Sequence, residues 1–522
     1  MIFLIARKVW PFAIMLPMPN ITLATLNARY IHASLGLRYL KANMGELEPL
    51  TTIREFIITD RPIDIAETLL ADAPDIIGLG VYIWNVREAT ELVKLIKMVS
   101  PQTLVVLGGP EVSYESEEQE IVQAADYVIC GMADLAFAEL CRALLAGKRP
   151  PQKIIQAGQP PLSLIRLPYE QFTAEDIANR LIYVEASRGC PFKCEFCLSS
   201  LDKTAWPFDI DAFLEAMGRL YARGVRHFKF VDRTFNLKVD TSIRILEYFL
   251  AKQDEQLFLH FELIPDHLPE RLKAAIKRFP AGTLQFEIGI QTFNPEVQTL
   301  ISRRQDNQKS GDNIRWLVEE TTAHLHTDLI VGLPGEDMDS FAEGFDRLVA
   351  LGAEEIQVGI LKRLRGTPII RHTEAYAMRY NPAPPYNILA TSDIGFADMQ
   401  RLSRFARYWD MVANSGRFKD TLPLLLGHQP FARFMAFADW LFSTTRQTHK
   451  IALSRLFGFV YHYLSQEVVV TEEALFAAML ADYARTGQKG LPEFMKLDVE
   501  KGQDNRRRKS NIATQRQARH AH

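Results

Sequence analysis

The sequence predicts an α/β protein in three parts. An N-terminal flavodoxin-like (Rossmann-like) domain spans residues 20–150, a partial (β/α)6 barrel spans 176–365, and an all-helical domain spans 366–495. Three observations predict it. In the first part, short apolar runs alternate five times with helically spaced segments. After a proline-rich stretch the alternation resumes for six further strands. Beyond Pro368 only helical spacing remains.

In the first part the strand-like runs are residues 21–26, 54–59, 75–83, 103–107 and 127–130. Helical spacing follows each, at 33–43, 63–71, 87–99, 117–124 and 135–145. Units of this kind build an open, mostly parallel sheet with helices on both faces. Such sheets bind ligands beyond the carboxyl ends of their strands, at the topological switch point. That directs attention to residues 27–34, 82–85 and 108–114. There, Gly108 and Gly109 let the backbone approach a large ligand without a Cβ in the way.

Residues 151–175 read as a linker, with prolines from Pro150 to Pro168. The six strands of the middle part are 181–186, 227–231, 258–263, 283–291, 327–333 and 355–361, with helical stretches at 211–223, 241–252, 270–278, 312–322 and 340–351. Catalytic groups of such barrels belong at the carboxyl ends of the strands. Asp232, Glu262, Gln291 and the Asp328–Glu336 stretch with Gly332 stand there.

The densest signal follows the first of these strands and a turn at Arg188–Gly189. Cys190, Cys194 and Cys197 have C-x3-C-x2-C spacing and are three of only five cysteines in the chain. Zinc usually takes four protein ligands, and no fourth cysteine lies near. Three thiolates on a four-iron cluster leave one iron without a protein ligand, free for a substrate or cosubstrate. Three reduced thiols packed in a core are the remaining reading, since free cysteine is commonly buried; it leaves the clustering unexplained.

In the last part, Phe396, Met399, Leu402, Phe405 and Trp409 fall mostly three or four residues apart, as do Phe431, Phe434, Phe437 and Leu441, and then Leu453, Leu456, Val460 and Tyr463. A further helix is expected at 472–485. Stripes of this kind are the core faces of helices, and a helical cap near the open end of the barrel is expected. Residues 496–522 are polar and basic, with seven Lys/Arg from Lys501 onward against Asp504, and are expected to be a disordered solvated tail. Residues 1–19 are expected to be disordered or mis-assigned, with Met15 or Met18 as the true start.

A net charge of −3 favours neither nucleic acid nor a membrane surface as partner. No apolar run approaches the roughly 18 residues of a transmembrane helix. Sparse cysteine, mostly in one loop, fits a reducing cytoplasm.

The cysteine loop, with Phe196 as the aromatic before its last cysteine, and the polar strand ends after it resemble the radical S-adenosylmethionine (SAM) enzymes. The segments Asn27 to His32, Gly78 to Asn85 and Gly108 to Tyr114 resemble the cobalamin-binding domain of cobalamin-dependent radical SAM proteins. Residues 366–495 resemble an uncharacterised C-terminal helical domain found in one branch of them. The resemblance implies a 4Fe–4S cluster on Cys190, Cys194 and Cys197, with SAM chelating the open iron. It implies SAM contacts at Phe196, Asp232, Glu262, Gln291 and Gly332, with Leu333 and Val358–Gly359 near the adenine. It implies cobalamin contacts at Asn27, Tyr82, Gly108, Gly109 and Ser113. It also implies an external one-electron reductant such as flavodoxin or ferredoxin, whose electron splits SAM to a 5′-deoxyadenosyl radical.

Two departures stand out. The D-x-H-x-x-G pattern that supplies a lower cobalt ligand in methionine-synthase-like domains is absent, so His32 reads as a cap or surface residue. Gly131-Met-Ala-Asp134 replaces the acidic Gly-Glu-Gly-Glu common in the family.

The leading functional reading is a cobalamin-dependent radical SAM enzyme that methylates an unactivated carbon of a small-molecule or unknown substrate. The second is a radical SAM cyclase or rearrangement enzyme that transfers no methyl group. The third is a non-enzymatic iron–sulfur electron-transfer protein, which leaves the polar-tipped strands unexplained. A methylthiotransferase would need a second cysteine triad, and the N-terminal part has only Cys130 and Cys141. No residue is assigned a catalytic acid–base role.

Overall fold

The computed structural model describes residues 20–202, 204–252, 254–468 and 471–487. The expectations for 1–19 and for the basic tail fall outside the described residues.

The first sheet has six parallel strands: β1 (Ile21–Asn27), β2 (Thr51–Ile57), β3 (Ile76–Gly80), β4 (Leu104–Gly108), β5 (Tyr127–Gly131) and β6 (Ile154–Ala157). Their order is β2-β1-β3-β4-β5-β6, so the chain reverses direction across the sheet between β1 and β3. The crossovers are α1 (Leu35–Ala42), α2 (Pro62–Ala71), α3 (Val86–Val99), α4 (Glu120–Ala124) and α5 (Ala136–Leu145). Successive side chains of a strand point to opposite faces, and here each face has its own core. Ile21 and Leu23 cluster with Leu37, Phe137 and Leu140. Ala24 and Leu26 cluster with Ile65, Leu92 and Ile121 on the other side. Burial on both faces is why these strands read as continuous apolar runs.

β6 lies where a linker is expected. It is a four-residue edge strand with no fully buried position, so it carries no apolar run to announce it. The short α6 (Ala174–Asn179) follows, started by a capping box between Thr173 and Asp176.

The second sheet begins at β7 (Ile182–Val184). An antiparallel pair, β8 (Ser187–Arg188) and β9 (Trp206–Pro207), then brackets the cysteine loop. β10 (His227–Phe230), β11 (Phe258–Leu263), β12 (Leu284–Gln291), β13 (His324–Val331) and β14 (Glu355–Ile360) complete a parallel sheet in which each strand pairs with the next, leaving β7 and β14 as edges. Its helices are α7 (Ile210–Ala222), α8 (Val239–Leu250), α9 (Glu270–Ile276), α10 (Pro295–Leu300), α11 (Asn307–Glu320) and α12 (Met338–Ala350). In β12, Leu284, Phe286, Ile288 and Ile290 are buried, while Gln285, Glu287, Gly289 and Gln291 are half-buried on the opposite face. The polar face is the lumen of an open, partial barrel.

A two-stranded ribbon, β15 (Arg379–Tyr380) with β16 (Ile388–Ala390), stands where only helices are expected. The chain forms two compact units, the second comprising residues 345–349 and those from 400 onward. Its helices are α13 (Phe396–Val412), most of which lies in that unit, α14 (Leu422–Leu426), α15 (Pro430–Thr445), α16 (Leu453–Glu467) and α17 (Glu472–Arg485). The core of this unit is aromatic, with Phe434 packed edge-on against Phe405 and Trp409 at centroid distances of 5.2 and 4.9 Å. The buried Asp482 accepts hydrogen bonds from the Thr421 amide (2.8 Å) and hydroxyl (2.6 Å), holding the start of α14. Among the described residues no helix is long and apolar enough to cross a membrane.

Candidate functional site

The cysteine loop leaves the end of β8 through Gly189, whose φ of +82° is a left-handed conformation. Glu195, buried between the second and third cysteines, pins the loop to the rest of the barrel. Its amide donates to the Ile301 carbonyl (3.0 Å), and its carbonyl accepts from the Ile369 amide (3.0 Å). Its carboxylate accepts from Ser302 Oγ (2.6 Å) and Arg371 Nη2 (2.5 Å), and lies 3.0 Å from His372 Nε2. A buried carboxylate so paired holds its loop by charge-assisted bonds.

This anchoring presents Cys190, Cys194 and Cys197 to one cavity of about 240 Å³ at the carboxyl ends of the barrel strands. Cys190 and Cys194 are buried; Cys197 is partly so. Burial pushes the Cys190 thiol up to about 11 and raises that of Cys194, against the pull of Arg303, whose Nη1 lies 3.5 Å from Cys194 Sγ. Among the described residues no three His, Cys, Asp or Glu side chains could hold a single metal ion. The sulfurs instead line the wall of a cavity, which suits a larger cluster bound through thiolates.

Phe196, Glu262 and Gln291 line the same cavity, together with Arg233, Glu287, Gly289, Arg303 and Asp328. Burial, with the charges of Glu287 and Asp328, raises the Glu262 carboxyl to about 7 despite Arg233 Nη1 at 2.8 Å. Glu287 is held at about 2: burial raises it, but the bond to His260 Nε2 (3.1 Å) and the charge of Lys229 win. Asp328 Oδ1 is buried 3.3 Å from His326 Nε2, so the carboxylate is paired with the imidazole at the wall of the cavity.

Asp232 and Gly332 stand outside this lining. Asp232 is buried and accepts from the Ala186 amide (2.9 Å) and Ser187 Oγ (2.6 Å); it ties the end of β10 to β7 and β8 and does not line the cavity. Gly332 also lies outside the lining, and a Cβ there would press on Ile388 Cγ2 at 2.6 Å. Arg303 and Asp328 are cavity residues to which no role was assigned. Asp328 shares a face of β13 with His326, so strand alternation could have marked it. Arg303 lies after α10, where no local pattern points to the cavity.

A second cavity, of about 430 Å³, lies over the carboxyl ends of β3, β4 and β5 and is closed on one side by Glu185, Ser187, Arg188 and Gly189 of the barrel. Tyr82, Gly108 and Gly109 line it, with Gly36, Gly78, Gly80 and Gly131 adding further side-chain-free surface. Gly109 has φ +109°, and a Cβ there would collide with the Val81 carbonyl oxygen. A floor so free of side chains fits a broad, flat ring system such as cobalamin.

Asn27 and Ser113 do not line this cavity. Asn27 Nδ2 donates to the His32 carbonyl (2.9 Å) and Glu55 Oε1 (3.0 Å). Ser113 Oγ donates to the Gly109 carbonyl (2.8 Å) and accepts from the Gly131 amide (3.2 Å), bracing two of the glycines from behind. His32 Nδ1 lies 2.6 Å from Tyr183 Oη and is likewise outside the lining. Asp134, at the departure from the acidic motif, is at the rim and receives two bonds from Arg188 (2.9 and 3.1 Å). Arg233 lines both cavities.

In comparisons with known proteins, residues 184–348 match the radical SAM superfamily, 21–141 the B12 binding domain, and 374–521 a family described as a protein of unknown function, DUF4080. The chain is 27% identical over 333 residues to an uncharacterized methyltransferase, PH0819, of Pyrococcus horikoshii, covering 58% of this chain and 70% of that one. It is 25% identical over 354 residues to TokK, a cobalamin-dependent radical SAM methyltransferase of Streptomyces tokunonensis, covering 60% of this chain and 51% of that one. Among solved structures, the cobalamin-dependent SAM radical enzyme OxsB, with aqua-cobalamin bound, aligns with TM-score 0.63 at 14% identity over 93% of this chain and 81% of that one. The radical SAM methyltransferase TsrM of Kitasatospora setae, with cobalamin and a 4Fe–4S cluster bound, aligns with TM-score 0.58 at 15% identity over 83% of this chain and all of that one. At such identities the structural likeness shows the fold.

Proposed function

Because the chain belongs to the radical SAM proteins that carry a B12-binding domain, here followed by a DUF4080 domain, we propose that it methylates an unactivated carbon of a small-molecule substrate. When bound, the cluster and SAM supply a primary-carbon radical, and cobalamin supplies a methyl donor. Cys190, Cys194 and Cys197 hold the cluster; Phe196, Glu262, Gln291, Arg303 and Asp328 hold SAM; Tyr82, Gly108 and Gly109 floor the cobalamin site.

The observation that carries this reading is Arg233. One side chain borders both the cysteine cavity and the glycine-floored cavity, so the two cofactor sites are neighbours. A substrate that must lose a hydrogen atom on one side and gain a methyl group on the other needs that adjacency. Arg233, tethered by Glu262, positions the partition between them. The barrel lumen behind Glu287 is polar, and the buried cavity walls limit access of water to the reacting groups. The cytoplasm, reducing enough to keep all five cysteines free, is the proposed location.

The test is anaerobic reconstitution with iron, sulfide and cobalamin, followed by product analysis with SAM and a reductant. Methyl transfer yields both S-adenosylhomocysteine and 5′-deoxyadenosine. The deoxyadenosine alone indicates a radical SAM reaction without methyl transfer. Cys194→Ala loses the cluster absorbance and the deoxyadenosine together; unchanged iron content in that variant overturns the assignment.

A further inference from the structure

On the outer side of the cysteine loop lies a groove of about 510 Å³, lined by Pro191, Phe192, Lys193, Thr299, Arg303 and Arg304 among others, with no carboxylate in its lining. Lys193 and Arg304 are exposed and make no hydrogen bond or ion pair among the described residues. Arg371 at the margin is exposed, but its charge is paired with the buried Glu195 carboxylate, which Ser302 of the groove also bonds. The chain as a whole carries a net charge of −3, so this basic face is a local feature and not a general property of the surface. It also borders the cysteine loop itself. Phe192, Arg303 and Arg304 line both the groove and the cysteine cavity, and Arg303 Nη1 reaches Cys194 Sγ at 3.5 Å. One layer of side chains separates an outside partner from the sulfur.

We propose that this groove is the docking face for an acidic one-electron carrier protein. The inference rests on the cluster reading above and adds the place where the electron enters. One electron leaves the carrier and one enters the cluster; no bond is made or broken and no proton moves. Opposite charges steer the two proteins together from a distance, which raises the encounter rate by roughly 10- to 1,000-fold and makes it sensitive to salt. The contact at Phe192 then sets a short path to the sulfur.

The experiment uses the full chain with its cluster reconstituted and follows bleaching of the cluster absorbance in a stopped-flow instrument. Reduced flavodoxin is the probe, and photoreduced deazaflavin is the small-molecule control. Lys193→Glu and Lys193→Ala, at a side chain outside the cavity lining, are compared with wild type. Reduction by flavodoxin is expected to slow roughly 10-fold in Lys193→Glu at low salt, and less in Lys193→Ala. The difference is expected to shrink at about 0.5 M salt, where screening cuts charge interactions to a few ångströms. Reduction by deazaflavin and the iron content stay at wild-type levels. Wild-type flavodoxin rates in variants with intact clusters overturn the docking face, as does equal slowing with deazaflavin. A wild-type chain that binds no cluster overturns the cluster reading itself, and this inference with it.

Discussion

Arg188 joins the two halves of the first compact unit, and its removal gives the sharpest test of how they are held. Its guanidinium makes two bonds to Asp134 of the N-terminal domain (2.9 and 3.1 Å) and one to Glu185 of the barrel (2.7 Å), and stacks over Tyr39 at 4.3 Å. The side chains of Arg188, Asp134 and Glu185 are 10%, 8% and 11% exposed, so solvent screening discounts little. Arg188→Leu keeps some of the packing and leaves two buried carboxylates unpaired, and breaking a buried pair in this way costs about 3–5 kcal/mol. In a domain of this size each kcal/mol moves Tm by about 2–4 °C, which predicts a loss of roughly 6–20 °C. The loss should depend on pH. Burial already raises the Glu185 carboxyl, and without the guanidinium its folded-state value rises further above the unfolded one. A raised carboxyl loses stability as pH climbs, so the deficit is largest near about pH 8 and shrinks toward about pH 5 as the orphaned Glu185 takes up a proton. Melting curves of wild type and variant at the two pH values measure it. A shift under about 2 °C at both, or a deficit that grows toward acid, refutes the reasoning.

Gly109→Ala drives a Cβ into the Val81 carbonyl at a φ of +109°. It should cost about 1–3 kcal/mol in strain and reduce cobalamin uptake, read from the corrin absorbance after desalting; normal uptake at an unchanged Tm contradicts it. Asp232→Asn leaves either the Ala186 amide or Ser187 Oγ without its acceptor, a loss of about 1–3 kcal/mol. SAM affinity by calorimetry should not change, and weakened SAM binding at an unchanged Tm would restore Asp232 to the cofactor site. In the barrel lumen, burial lowers His326, but Asp328 and Glu355 outweigh it and lift it to about 10; bonds from His324 and His326 hold Glu355 at about 2. A histidine raised from 6.5 stabilises fully below that value and loses its contribution as pH rises toward about 10. Wild type should therefore lose thermal stability across that interval, and Glu355→Gln should show a shallower decline; parallel pH profiles count against the pairing.

The features legible in the sequence are those encoded by neighbours along the chain. Strands buried on both faces, such as β1, β3 and β4, are continuous apolar runs whatever lies around them. The thiol triad is legible because all three sulfurs sit in one short loop, and Phe196 comes with it. β6 is not, because an edge strand needs no apolar run. At the strand ends, local pattern shows only that a polar residue is present. Glu262 and Gln291 face the cavity, while Asp232, Asn27 and Ser113 turn to backbone groups or side chains of neighbouring segments.

The sequence by itself therefore determined the order of the parts, the two parallel sheets and the grouping of three thiols in one loop. Tertiary structure alone decided which polar groups reach a ligand, that Arg303 comes to Cys194 from 109 residues away, and that Arg233 borders both cavities. The physical reason is that a buried polar group must find a partner, and which partner lies within 3 Å or so depends on elements packed from elsewhere in the chain.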